Sequence, residues 1–144
     1  MTHSNAAVPS IDELVETLTH HKTLGGAPRT ELEWLARHGE YHWYAAGTRL
    51  MAKGDPINEM IVQLDGRVSV NYQRGSGREH LLDTVGGDIT AALPFSRAAS
   101  ALGDVTVAED TSYVALPRAQ FRELVSECPI LIETIVHAML DHPP

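Results

Sequence analysis

"MIVQLDGRVSVNY", residues 60–72, is the stretch on which the reading of this chain turns. Met60, Val62 and Leu64 recur at every second position, with the polar Gln63 between them. After Asp65-Gly66 the period resumes. Val68, Val70 and Tyr72 alternate with Arg67, Ser69, Asn71 and Gln73. A period of two marks a strand with one covered face. Asp-Gly between two such runs predicts a tight hairpin, because that pair tolerates the positive φ of a two-residue turn.

The same period spreads outward from this point. From Tyr41 onward, strand-like runs are separated by turn signals at Gly47, at "KGDP" (53–56) and at "RGSGR" (74–78). "EHLLDTV" (79–85) reads as one further strand. "DVTVAEDTSYVALP" (104–117) reads as two, meeting at Glu109-Asp110. Helical spacing holds at both ends. Ser10 and Glu13 make a capping box before Ile11, Leu14, Val15 and Leu18. A second helix follows Pro28, with Leu32, Leu35 and Ala36 on one face and Gly39 as its cap. Glu31, Glu33, Arg37 and Glu40 read as its solvated side. Later, Phe121, Leu124 and Val125 form a stripe after Pro117. Ile132, Ile135, Val136 and Met139 form another after Pro129. Helices, then seven or eight short strands, then helices predict a mainly β domain: an antiparallel β-roll or jelly roll with flanking helices. Residues 1–10 read as a loose tail. Residues 11–142 read as a single domain, helical over 11–40, a roll over 41–116 and helical again over 117–142.

Composition narrows the function. The chain has 144 residues, 43% hydrophobic and 21% charged, with a net charge of −8. Broad binding to nucleic acid or to an anionic membrane needs a basic face, which this balance disfavours. No apolar run is long enough to span a bilayer. Cys128 is the only cysteine; it allows no internal disulfide, fits a cytoplasmic setting and reads as a packing residue rather than a reactive thiol. The eight histidines contain no His-x-His pair, and Gly39 breaks the helix between His38 and His42. Packing or solvated histidines are therefore expected in place of a metal site. No Gly-x-Ser-x-Gly elbow is present, and no catalytic constellation is expected.

One segment remains chemically suggestive: "GGDITAALPFSRAAS", residues 86–100. Backbone N–H groups beside small residues can converge on a phosphate, and an arginine can clamp its oxygens. Gly87, Asp88, Thr90, Ala91, Ala92, Ser96 and Arg97 are the candidate ligand-binding residues. On spacing alone the signal is weak, and an ordinary inter-strand loop is the favoured reading.

The order of features resembles the cyclic nucleotide-binding domain of the catabolite-activator class. "YAAGTRLMAKGDPINEMIVQLDGRVSVNY" (44–72) is similar to that family's Gly-turn, Gly-Asp, strand, Asp-Gly, strand pattern. "LLDTVGGD" (81–88) is similar to the lead-in to its phosphate-binding cassette. The cassette itself departs. Where the family has Phe-Gly-Glu, this chain has Thr90, Ala91 and Ala92, and Ala92 cannot hold a ribose hydroxyl. Arg97-Ala98-Ala99-Ser100 matches the family's Arg-Ala-Ala-Ser wording, but counting back from "VTVAED" (105–110) puts Leu102 at the arginine position. "GDITAALPFSR" (87–97) resembles a subgroup found at the N-terminus of bacterial sensor histidine kinases. The resemblance implies a non-enzymatic sensory domain with a remodelled cassette. Its ligand would be a cyclic nucleotide or another small anion, if it has one. Phe121, Leu124, Ile132 and Val136 would carry the signal to a downstream kinase domain or a homodimer partner. Two alternatives stay open: a true cAMP or cGMP receptor using Arg97, and a dimerisation module without a small ligand.

Overall fold

The computed structural model describes residues 8–92 and 99–141. Helix α1 (Ile11–Thr19) starts at the expected capping box: the Ser10 hydroxyl accepts the Glu13 N–H at 3.1 Å, and the Glu13 carboxylate accepts the Ser10 N–H at 2.8 Å. Helix α2 (Arg29–His38) follows, ending at Gly39. The strands are β1 (Glu40–Tyr44), β2 (Arg49–Met51), β3 (Pro56–Ile57), β4 (Glu59–Arg74), β5 (Gly77–Val85), β6 (Ile89–Ala91), β7 (Ala99–Ser100) and β8 (Asp104–Pro117). A single 3₁₀ turn leads into α3 (Phe121–Glu127) and α4 (Pro129–Asp141). The main sheet runs β1-β8-β4-β5, with β2 also on β8 and β6 also on β4; β3 pairs with β7. All these pairings are antiparallel. This is the mainly β roll with flanking helices that the sequence predicts.

The hairpin expected at Asp65-Gly66 does not form. β4 runs unbroken through it, and β8 runs unbroken through Glu109-Asp110, where two strands were expected. The two long strands stay paired, from Glu59 opposite Pro117 to Asn71 opposite Asp104. The register shifts around Asp65 and Gly66 mark a bulge. A two-residue type I′ turn needs positive φ at both central positions. Gly66 has φ +84°, but Asp65 is not in that region, so the pair bends the strand instead of reversing it. Side chains lock the bend. Asp65 Oδ1 accepts both the Ser112 N–H and the Ser112 hydroxyl, each at 2.8 Å.

The bulge also reverses which residues point inward. Before it, Ile61 and Gln63 face the roll interior while Met60 and Val62 are fully buried on the outer side; after it, Val68 and Val70 face inward. Gln63 was expected among outward neighbours, yet it is 1% exposed. β4 is covered on both faces, by helices on one and by the roll itself on the other. The Gln63 amide stitches the corner: Nε2 donates to the Thr84 carbonyl at 3.2 Å, and Oε1 accepts the Thr84 hydroxyl at 2.7 Å.

The main hydrophobic cluster lies outside the roll, between its outer wall and the helices. It joins Leu14, Val15 and Leu18 with Leu32 and Leu35, Met60 and Val62, Val114 and Leu116, and then Leu124, Leu131 and Ile135. Burying one such side chain is worth about 1.5–3 kcal/mol, so this layer holds the helices to the roll. Glu31, expected on a solvated face, is buried here. Its carboxylate accepts the Leu131 N–H at 2.6 Å and approaches the Ile130 N–H at 3.5 Å. Those donors belong to the first turn of α4, which has no intrahelical partner for them. A negative charge there also suits the helix dipole. Cys128 packs beside Glu31. Burial pushes its thiol up to about 12, with the Glu31 and Glu127 carboxylates adding to the effect, so it stays a packing thiol.

His21 ties the α1–α2 loop to the β4 corner. Its Nδ1 accepts the Thr23 and Leu24 N–H groups at 3.2 and 3.1 Å, which leaves Nε2–H to donate to the Gln63 carbonyl at 3.0 Å. Burial holds its pKa below the ordinary 6.5. The Gln63 carbonyl and the Asp88 carboxylate work in the opposite direction, and Lys22 adds slightly to the lowering.

Three measurements check this account. Gly66→Ala places a Cβ against Asp110 and Thr111 at a positive φ and is expected to cost about 3 kcal/mol or more in denaturant unfolding. Glu31→Ala strands the α4 donors and is expected to cost roughly 2–3 kcal/mol, with Glu31→Gln recovering part of it. The unfolded state binds a proton at His21 that the folded state resists. Stability is therefore full above pH 6.5 and falls as pH drops below it. A His21→Gln variant should show a flatter decline in Tm between pH 7.5 and 5.5.

Candidate functional site

Inside the roll is a cavity of about 290 Å³. Leu50 and Met51 come from β2, Ile61, Val68 and Val70 from β4, and Leu82 from β5. Val105 and Tyr113 of β8 close the far side. The parity switch at the bulge is what lets one strand contribute to this wall from both of its halves. A second hollow of about 380 Å³ shares much of that wall and opens past Asp55 and Glu59. Among the described residues, no Lys, Arg or His side chain lines either space.

The polar groups of the wall are few. The Gln63 amide and the Thr84 hydroxyl satisfy each other and the neighbouring backbone. Burial, reinforced by Tyr44 and nearby carboxylates, pushes the Tyr113 hydroxyl well above its ordinary pKa of 10, so the phenol is neutral. Cations on or beside the strands of the wall have partners of their own. Arg49 and Arg78 pair with Asp104 at 3.4 and 3.1 Å, and the Lys53 ammonium lies over the Tyr72 ring at 5.3 Å. The Lys53 N–H and Arg78 together hold the Asp104 carboxyl below the usual carboxylate range.

The suspected cassette divides between two places. Gly87 is buried with φ +100°, packs on the Lys22 side chain, and gives its carbonyl to the Thr23 hydroxyl at 2.6 Å. The Asp88 carboxylate accepts the Val85 N–H at 2.8 Å within the same turn. Both residues sit against the α1–α2 loop, away from the cavity wall. Thr90 and Ala91 line the cavity. Ala91 has φ +68°, a left-handed backbone that favours glycine, and it stands where the resembling family carries its glycine. Ala92 is buried, with its N–H on the Glu59 carbonyl at 2.9 Å. Ser96 and Arg97 lie outside the described residues. Leu102, at the alternative arginine position, is on the cavity wall and 73% exposed.

The four suspected transmission residues lie in the layer behind β4. Leu124 and Ile132 are buried, and Phe121 and Val136 are half-buried against them. Met139 is outside the described side chains. Sequence reasoning missed Gln63, Tyr113 and Glu31. A polar residue inside an apolar run was the available signal for Gln63; for Tyr113 and Glu31 the sequence carries none, since their burial depends on distant elements. Among the described residues, no group of three or more His, Cys, Asp or Glu could hold a metal ion. No helix described is long and apolar enough to cross a membrane.

Comparison with solved structures shows the same fold elsewhere. The N-terminal domain of a transcriptional regulator from Streptomyces coelicolor is similar at 17% identity and TM-score 0.69, over 87% of this chain and 90% of that one. The Thermus thermophilus catabolite activator protein is similar at 21% identity and TM-score 0.66, over 87% of this chain and 56% of that one. The regulatory subunit of a cAMP-independent protein kinase A from Trypanosoma cruzi, bound to guanosine, is similar at 19% identity and TM-score 0.71, over 92% of this chain and 46% of that one. No curated protein matches the sequence significantly. The family model described as the cyclic nucleotide-binding domain matches residues 41–128, the roll and the start of the C-terminal helices. With that match over a roll built around a cavity, the chain belongs to the cyclic nucleotide-binding domain family.

Proposed function

We propose that this chain is a non-enzymatic regulatory domain whose cassette is remodelled, so that it reads something other than a cyclic nucleotide and passes its state to an attached signalling partner. One observation carries the reading: the roll is built around a cavity, yet among the described residues its wall offers no cation for a phosphate. Ala91 and Ala92 replace the glycine and glutamate of the family pattern, and Leu102 lies on the wall where the strand-anchored register expects arginine. The similar kinase subunit described as cAMP-independent and bound to guanosine supports it, because guanosine carries no phosphate. The resemblance to domains at the front of bacterial histidine kinases makes a kinase module the expected partner, with a second copy of this chain as the alternative.

β4 supplies the route. Ile61 and Gln63 press on the cavity, while Met60 and Val62, on the opposite side of the same strand, press on the helices. An occupant that shifts the strand changes the bed on which Phe121, Leu124, Ile132 and Val136 pack. It can shift the equilibrium only by its differential affinity for the two arrangements.

Calorimetry with cAMP and cGMP tests the reading. The absence of two charge-assisted contacts, worth roughly 1.5–3 kcal/mol each, moves a micromolar site toward millimolar, so little heat is expected at ordinary concentrations. Leu102→Arg, at an exposed rim position, should raise cAMP affinity by about tenfold or more. Sub-micromolar affinity in the unaltered chain would overturn the proposal, and its loss in Arg97→Ala would then identify a true receptor.

A further inference from the structure

We propose that the roll cavity holds an uncharged, largely apolar small molecule; this rests on the regulatory reading above and names its ligand class. Three observations converge on it. The wall is built from aliphatic side chains, and the Gln63 amide and Thr84 hydroxyl within it are already satisfied by each other and the backbone. What remains among the described residues to orient an occupant is the Thr90 hydroxyl and the neutral Tyr113 phenol, which offer one or two hydrogen bonds and no counter-charge.

The second observation is the charge beside the cavity. Asp55 and Glu59 line the adjoining hollow, and Arg49 of β2 and Arg78 of β5 are paired with Asp104. An anion in this space would have carboxylates and an apolar wall as its neighbours. Burying it unpaired costs far more than contact with aliphatic groups returns.

The third is the rim itself. Leu82 is 43% and Leu102 73% exposed, and both line the cavity. Apolar surface of this kind, at the edge of a hollow with a few polar groups, is what an apolar occupant covers. At about 290 Å³ the space is near the lower end of small-molecule sites.

A matched pair of dyes tests this. N-phenyl-1-naphthylamine is uncharged; 1-anilinonaphthalene-8-sulfonate is the same ring system carrying a sulfonate. The neutral dye should show saturable, one-site fluorescence enhancement, with the sulfonate at least about tenfold weaker. Val70→Phe, which fills the cavity, should abolish the neutral dye's signal. Leu82→Trp, at the half-exposed rim, should weaken it should Val70→Phe prove unfolded by circular dichroism. Equal or tighter binding of the sulfonate overturns the proposal. So does the absence of saturable binding of the neutral dye, and so does binding that neither substitution alters. Amide hydrogen exchange of α3 and α4 separates this failure from that of the regulatory reading. A neutral dye that binds in the cavity and leaves those amides unchanged upholds the ligand class and defeats the coupling. Protection of those amides, together with weak sulfonate binding, supports both.

Discussion

Three stretches of backbone meet at one corner, and two of them must lack a side chain there. Gly66 of β4 lies against Asp110 and Thr111 of β8, and Gly86 lies so close to Leu64 and Asp65 that a Cβ on it would sit 2.8 Å from the Asp65 Cα. Asp65 closes the corner by accepting two hydrogen bonds from Ser112. Because this approach is possible, β4 and β8 bend together without losing their pairing. The bend turns what would be a flat sheet into a roll with an inside. Everything that positions the site follows from it, including the change in inward-facing parity that puts Ile61 and Gln63 on one side of the corner and Val68 and Val70 on the other, all facing one cavity.

The hydrophobic layer that holds the domain together is not the lining of that cavity. The dense cluster sits between the outer wall and the four helices, where Leu18, Leu32, Leu35, Met60, Val62 and Leu124 exclude water completely. The roll interior is left less filled. This division keeps the layer that anchors the helices apart from the cavity wall. β4 belongs to both compartments. His21 and Glu31 add polar bonds across the layer, one from the helical loop to the Gln63 carbonyl and one from α2 to the first turn of α4. β4 is therefore tied to elements on either side, through packing and through bonds that are costly to leave unmade.

The sequence by itself determined the class, the coarse order of helices, strands and helices, and the helix starts. The Ser10–Glu13 box, Pro28 and Pro129 act through local chemistry, so they are legible one after another along the chain. Alternation in 60–72 and 104–117 correctly announced strands. The resemblance, carried by spacing of glycines and apolar residues, located the family, because those spacings are the footprint of the turns and bends that the roll requires. Thr90 and Ala91 were singled out as candidates from their place in that pattern; the structure sets both on the cavity wall.

Tertiary structure decided what each polar residue inside those patterns does. Asp65-Gly66 carries the local signature of a hairpin turn, and only its contact with Thr111 and Ser112 makes it a bulge. Gln63 and Glu31 have the types and spacing of outward residues, and they are buried because partners arrive from elsewhere: β5 at the corner for one, α4 for the other. Gly87 and Asp88 keep the wording of a phosphate loop, yet they spend their hydrogen bonds on Thr23 and Val85. Local propensity records what a residue can do with its neighbours in sequence. Burial and partner choice are set by residues tens of positions away, and no period along the chain encodes them.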